Sequence, residues 1–382
     1  MKNFKSFLTE SARPNLHIEH IEEEVFNKGV IGTKTAIAFL KDFCNFLEGT
    51  EHKVRPSIKW DGRPAIICGQ HPETNKFFVG TKSVFNVGIP KINYTTEDID
   101  KNYADKPDLA KRLKIVLKEL SGLQIEGVVQ GDLLFVKEDL RLIAHNHTQY
   151  VAFSPNTITY AIPAQSALGK SLIESSVGMS FHTQFTGSTL NTLHPTQTPP
   201  TVKGTPHVAV LKTALSNSTK ISKEDINKLK ARLDAIMTQV ESIDATTLDT
   251  IGANPAYQRL LKQYVNSRIV LGESISSDEH YLNNLFEFAE THSKKFVGYF
   301  LENRAQIKQV FELVESINSI KTTILQKITS IQEMQMFVES NHMFSETSIE
   351  GVVLTNPLGK SLKLVNRLEF SHKNFLKNKN LI

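Results

Sequence analysis

The strand texture of this chain begins near residue 54, stops near residue 216 and returns only at residue 348. The stretch between is written in helical periodicity. Ser222 opens it with Asp225 three residues later, a capping-box arrangement with Asp where Glu or Gln is usual. Ile226, Leu229, Leu233, Ile236 and Val240 then mark one helix face, and the spacing predicts further helices over 255–270, 278–292, 294–318 and 320–340. A helical block of roughly 120 residues is large enough to form a subdomain of its own. A β-rich unit split by a helical insertion is expected, an α+β arrangement rather than two domains in a row. Four segments follow: a helical N-terminal extension over 1–53, a first core segment over 54–216, the inserted helical subdomain over 217–345, and a second core segment with its tail over 346–382.

Within the first core segment, SIKWDGRPAIICG, KFFVGTKSVF, IEGVVQGDLLFV and ITYAIP are short β-branched and aromatic runs bounded by Gly, Pro, Asn and Asp. They predict strands joined by turns, in a mixed and mostly antiparallel core. One helix interrupts them, with Leu109, Leu113, Val116, Leu117 and Leu120 on its apolar face. Before the core, residues 16–50 are predicted helical, with Gly29 and Gly32 dividing them into two helices. Residues 187–206, rich in Thr, Pro and Gly, read as a long loop, and PHVAVLKTAL as a strand.

Charge and cysteine usage exclude some classes. Lys and Arg number 44 against 40 Asp and Glu, a net charge of +4. That excess is too small for a surface coated in basic charge to hold duplex DNA without specificity, although a local basic groove remains compatible with it. Two cysteines, Cys44 and Cys68, give no disulfide framework and no CxxC metal site. A reducing cytoplasm is expected. No run approaches about 18 apolar residues and the first fifteen residues lack a signal-peptide core, so no membrane partner is expected.

The residues that carry chemistry form an ordered series. Lys59-Trp60-Asp61-Gly62 places a lysine two positions before Asp-Gly, on a strand entering a turn. Alone, these four residues fit a hairpin turn beside a solvated lysine better than a catalytic motif. Downstream come Thr81-Lys82, Gly131-Asp132-Leu133-Leu134-Phe135, Phe153 in YVAFSP, Glu350-Gly351-Val352-Val353, and Lys363 thirteen positions after Glu350. In order and type these resemble the motifs of the covalent nucleotidyltransferase superfamily, the ATP-dependent DNA ligases, RNA ligases and mRNA capping enzymes. LHIEHIEEEVFNKG, KWDGRPAIICG, FSPNTITYAIP, FHTQFTG and KLVNRLEFSHKNF further resemble uncharacterised bacteriophage proteins identified as ligase-like nucleotidyltransferases. This second resemblance is weak through 220–340.

The resemblance implies an adenylation-type core, with Lys59 attacking the α-phosphate of ATP and passing AMP to a 5′-phosphate of RNA or DNA. It implies a nucleotide site built from Asp61, Gly62, Arg63, Lys82, Asp132, Phe153, Glu350 and Lys363. Phe153 would lie against the base. Glu350 would hold Mg²⁺, with Mn²⁺ as a substitute, and Asp132 would touch the ribose or hold the metal through water. An ordinary lysine is protonated at neutral pH. Burial and the cations Lys363, Lys82 and Arg63 are expected to lower the Lys59 pKa. Phage origin would place the chain in the host cytoplasm.

Departures from the pattern narrow the reading. Val365 stands where the family carries a second lysine of the fifth motif. Nineteen residues follow Lys363, too few for an OB-fold, so the likeness is to RNA ligases more than to DNA ligases or capping enzymes. IEGVV also occurs at 125–129, but Lys137 lies eleven residues after Glu126 and is followed by acidic residues. Glu126 is therefore read as a strand residue facing solvent or pairing with a cation. AMP transfer to a protein or small molecule, and a degenerate nucleotide-binding scaffold, remain open alternatives.

Other features have local readings. His145-Asn146-His147 fits a turn or surface better than a metal pair, because no third ligand is placed. His182 and Thr183 either contact phosphate or end a strand. Trp60 either packs under the lysine stem or is plain core. The helices of 220–340 mix Lys with Glu and Asp as solvated faces do. The tail SHKNFLKNKN, with Phe375 interleaved, either touches a phosphate backbone or is solvated.

Overall fold

The computed structural model describes residues 18–196, 200–215, 221–243, 245–292, 294–330, 334–340 and 343–370, so the tail with Phe375 lies outside the described residues. The described residues open with strand β1 (Glu19–His20), a single 3-10 turn and helix α1 (Glu24–Glu48). Two helices were expected here, divided at Gly29 and Gly32. The helix runs through Gly32 and is kinked only at Lys28 and Gly29, where the backbone leaves helical geometry. The kink has a packing reason. Gly29 has φ +54°, and a Cβ there would lie 2.5 Å from the carbonyl oxygen of Leu248.

The first core segment then runs through β2 (Arg55–Lys59), β3 (Ala65–Gln70) and β4 (Phe77–Gly80), helices α2 (Thr96–Asn102) and α3 (Pro107–Leu120), and β5 (Val128–Val136). It continues with β6 (Arg141–His145), β7 (Thr148–Phe153), β8 (Thr159–Pro163), α4 (Ala167–Glu174), β9 (Val177–Thr186), β10 (His194–Pro195) and β11 (Val208–Val210). Helix α2 has a capping box at Thr95 and Asp98, and α3 buries Leu113, Val116, Leu117 and Leu120 against the sheet, the face its periodicity predicted. Residues 187–196 and 200–206 are largely irregular apart from the short β10.

The helical block holds α5 (Lys223–Ser242), α6 (Ala245–Ala253), α7 (Pro255–Val270), α8 (Glu279–His292), α9 (Lys294–Glu302) and α10 (Arg304–Thr329). Ser222 caps α5 by accepting a hydrogen bond from the Asp225 amide at 3.1 Å. Asn254 caps α7 in the same way, with Pro255 in the first turn. The helix expected over 320–340 ends at Thr329. Strands β12 (Gln335–Ser340) and β13 (Met343–Glu346) follow, before β14 (Gly351–Thr355) and β15 (Ser361–Val365). Strand β12 pairs with β8, so the alternating Met336 and Val338 region joins a sheet instead of prolonging α10.

Three sheets result. The first has the order β1-β15-β14-β2, the second β10-β9-β5-β3-β4 with β11 beside β9, and the third β13-β12-β8-β7-β6. Pairing is antiparallel except for β1 with β15 and β11 with β9. The segment after β11 links the first two sheets: the Leu211 amide bonds Met179 oxygen at 2.8 Å, and the Ile58 amide bonds Thr213 oxygen at 2.6 Å. One continuous core joins the helices to the first and third sheets. A second lies between α3 and the second sheet.

Helix α1 packs with α5, α6, α7 and α10, so the N-terminal segment and the insertion share one helical layer. The residues before α1 anchor it with buried charge. Lys321 of α10 donates to Glu22 at 2.8 Å, and both side chains are fully buried. Arg367 donates to Glu23 at 2.7 Å and to Asn266 of α7 at 2.6 Å. Charges this deep require partners, because removing one leaves an uncompensated ion.

Candidate active site

Lys59 ends β2, and the antiparallel register sets it opposite Gly351, the first residue of β14. Glu350 precedes that glycine and therefore arrives beside the lysine. The Lys59 ammonium donates to Glu350 Oε1 at 2.5 Å, across 291 residues of sequence. On the other side of β14, Val353 is in register with Lys363 of β15, and Lys363 with His20 of β1. Lys59 and Glu350 thus meet at one end of the first sheet, with Lys363 two register positions farther along it.

The turn after β2 lies directly on β5. A Cβ on Gly62 would fall 2.4 Å from the Asp132 Cβ and 3.0 Å from Leu134 Cδ2, so no larger residue fits without displacing the strand. The Arg63 amide bonds Leu133 oxygen at 3.1 Å, and the Leu133 amide returns to Pro64 oxygen at 3.0 Å. This contact brings half-buried Asp132 to the lysine. Asp61 is engaged by the loop before β8. Its carboxylate is buried and accepts from Asn156 Nδ2 at 2.9 Å and from the amides of Thr157 at 2.6 Å and Ile158 at 3.2 Å. Both of its oxygens serve the loop before β8.

Burial works against the charge on Lys59, but Glu350 in contact, with Asp132 and Asp61 nearby, outweighs it and holds the ammonium above the ordinary lysine range. The lowered value expected from neighbouring cations is therefore corrected. The strongest charges acting on Lys59 are carboxylates, because the strand register delivers Glu350 rather than Lys363 into contact. Lys363 itself is depressed, chiefly by burial, with the like charges of Lys59 and Arg367 adding to it. Burial pushes the Glu350 carboxyl up to about 7, against the pull of Lys59.

The structure brings Lys59, Asp61, Gly62, Asp132, Glu350 and Lys363 together. Arg63 and Lys82 are exposed, the first in the turn beside Asp132 and the second just after β4. Phe153 is a correction. Its ring is fully buried, with its centroid 5.0 Å from Phe135 and 5.5 Å from Tyr160, so it is core and offers no face to a base. Trp60 is also core, its indole N–H donating to Lys212 oxygen at 3.3 Å. Glu126 is exposed on the loop before β5. Asn146 and His147 both have positive φ, 47° and 62°, and form the two-residue turn between β6 and β7. His145 and His147 therefore do not share a strand face.

Tyr160 was not singled out by the sequence. It sits under the motif turn, its hydroxyl accepting from the Asp61 amide at 2.7 Å and its ring 4.9 Å from Trp60. Burial raises its pKa far above the usual range, so it stays protonated. The available signal was its place in FSPNTITYAIP, which also supplies Asn156.

The donor set suits a divalent cation with an oxygen preference. Glu350 Oε2 is buried and has no hydrogen-bond partner among the described residues. His182 Nε2 lies 3.8 Å from Asp132 Oδ2. Among the described residues no group of three or more His, Cys, Asp or Glu could hold a metal. One or two carboxylates completed by substrate oxygens is the usual way Mg²⁺ is bound, whereas a structural zinc site needs a fuller protein cage.

No described helix is long and apolar enough to cross a membrane. No curated protein and no solved structure matches the chain. A family of unknown function, DUF6267, matches residues 15–379, and the chain belongs to that family.

Proposed function

We propose that this chain is an ATP-dependent nucleotidyltransferase in which Lys59 takes AMP from ATP and passes it to the 5′-phosphate of an RNA or DNA end. The observation that carries the proposal is the 2.5 Å Lys59–Glu350 contact, formed by residues from the two separated core segments, with Glu350 Oε2 left unpartnered. A lysine that must become a nucleophile needs a proton acceptor and a way to escape its carboxylates. The Lys59 side chain is partly exposed, so its proton can leave to solvent once the carboxylates are offset. Mg²⁺ held by Glu350 and Asp132 would supply positive charge that offsets the carboxylates and the phosphates.

The Lys59 amine then attacks the α-phosphorus, an N–P bond forms, and the α–β phosphoanhydride breaks to release pyrophosphate. Lys363, near Lys59 and partly buried, is available to neutralise charge on the α-phosphate. Exposed Arg63 and Lys82 are available to the acceptor's phosphates at the open side.

Incubation with α-labelled ATP and Mg²⁺ tests the reading. A label that survives denaturation, is released by acid and is absent from Lys59→Ala is expected. Nicked duplexes and 5′-phosphorylated RNA should then acquire AMP on their 5′ ends. No label with any nucleoside triphosphate and either Mg²⁺ or Mn²⁺ would refute the proposal. Label without transfer to either nucleic acid would move the acceptor to a protein or small molecule.

A further inference from the structure

The ladder between β5 and β9 is broken beside Asp132. Gln130 pairs with Thr183, but the next residue, Gly131, pairs with Phe181, so His182 has no counterpart. This is a β-bulge, a device that re-aims a side chain. In an unbroken strand His182 and Thr183 would point to opposite faces. Here His182 Nδ1 lies 2.8 Å from Thr183 Oγ1, so the two side chains lie side by side. Gly131 makes room for the irregularity, since a Cβ there would lie 2.6 Å from Ser180 oxygen and 2.8 Å from Phe181 Cδ1.

The bulge turns His182 toward the Lys59 site. Its Nε2 is 3.8 Å from Asp132 Oδ2, near enough to be drawn to the carboxylate and too far for a hydrogen bond. The side chain is partly exposed, so Nε2 remains available to a ligand. Ser180, opposite Asp132 in the ladder, adds a buried hydroxyl with no partner among the described residues. The interior of the site sets the carboxylates of Asp61, Asp132 and Glu350 against the cations of Lys59 and Lys363. That balance does not favour a polyphosphate, which needs donors on the open side.

We propose that His182 and Thr183 form the lip that binds the polyphosphate tail of the nucleotide, with the imidazole N–H and the hydroxyl donating to its non-bridging oxygens. This rests on the reading of the Lys59 site as a nucleotide site. The Thr183 hydroxyl, 2.8 Å from Nδ1, positions the imidazole.

Calorimetric titration of the full chain with α,β-methylene-ATP and with AMP, both in Mg²⁺, tests it. His182→Ala should weaken binding of the triphosphate analogue about tenfold or more, the effect of one charge-assisted hydrogen bond, and leave AMP nearly unchanged. His182→Asn, which keeps an N–H donor, should recover part of the loss. Melting temperatures equal to wild type show that both variants fold. A loss below about threefold, or an equal loss for AMP, overturns the lip assignment alone. Wild-type protein that binds neither ligand overturns the nucleotide reading and this inference with it.

Discussion

Replacing Asp61 separates the two halves of the Lys59-Trp60-Asp61-Gly62 motif. In the structure Asp61 is an anchor, holding the 156–158 loop through one side-chain amide and two backbone amides. Asp61→Ala removes the acceptor and strands those donors. Each buried donor left unsatisfied costs about 1–3 kcal/mol, and the half-buried Thr157 and Asn156 recover part of theirs from water. A net loss of roughly 2–4 kcal/mol follows, slightly reduced because Asp61 also disfavours the charged form of Glu350. Unfolding entropy scales with length, giving roughly 0.8 kcal/mol per degree for 382 residues. The expected fall in melting temperature is therefore about 4 °C. Differential scanning calorimetry of Asp61→Ala, Asp61→Asn and Lys59→Ala makes the comparison. Asp61→Asn should lose about half as much, because it keeps one acceptor oxygen. Lys59→Ala should lose least, since its half-exposed ammonium is replaced and Glu350 can take up a proton. The reasoning fails if Asp61→Ala melts with wild type, or if Lys59→Ala is the less stable of the two.

Two further outcomes are expected. Burial pushes the Glu23 carboxyl up to about 7 despite Arg367, so its stabilising contribution is complete below about 4.5 and is lost as pH rises through about 7. Glu23→Gln should flatten the decline of the urea midpoint between pH 5 and 8 by at most about 3 kcal/mol, and an unchanged slope would contradict the assignment. Phe153→Ala should cost about 3–5 kcal/mol of stability, whereas Phe153→Leu should fold and bind nucleotide as wild type does. A Phe153→Leu protein of normal stability with lost nucleotide affinity would restore the stacking role.

Much of the helical content was legible because apolar spacing is a local property. Helices α3, α5, α7 and α8 lie close to where periodicity predicted them. Strand β12 was read as helix because its short run of Met336, Phe337 and Val338 has no periodicity that separates the two states, and its partner β8 lies some 170 residues earlier. The kink at Gly29 was likewise decided by contact with α6, which the N-terminal sequence does not contain. His182 was visible only as a residue near a motif. The bulge that aims it arises from two strands failing to keep register.

By itself the sequence determined the split of the strand texture around a helical block, and the residue types at Lys59, Asp132, Glu350 and Lys363. It could not determine which of those groups touch. Strand register set Glu350 against Lys59, and the Gly62 turn set Asp132 beside them. Neighbouring carboxylates then reversed one expectation, holding Lys59 protonated against its burial, and burial reversed another, placing Phe153 in the core. Pairing and desolvation depend on what long-range contacts bring together, and those exist only in the folded chain.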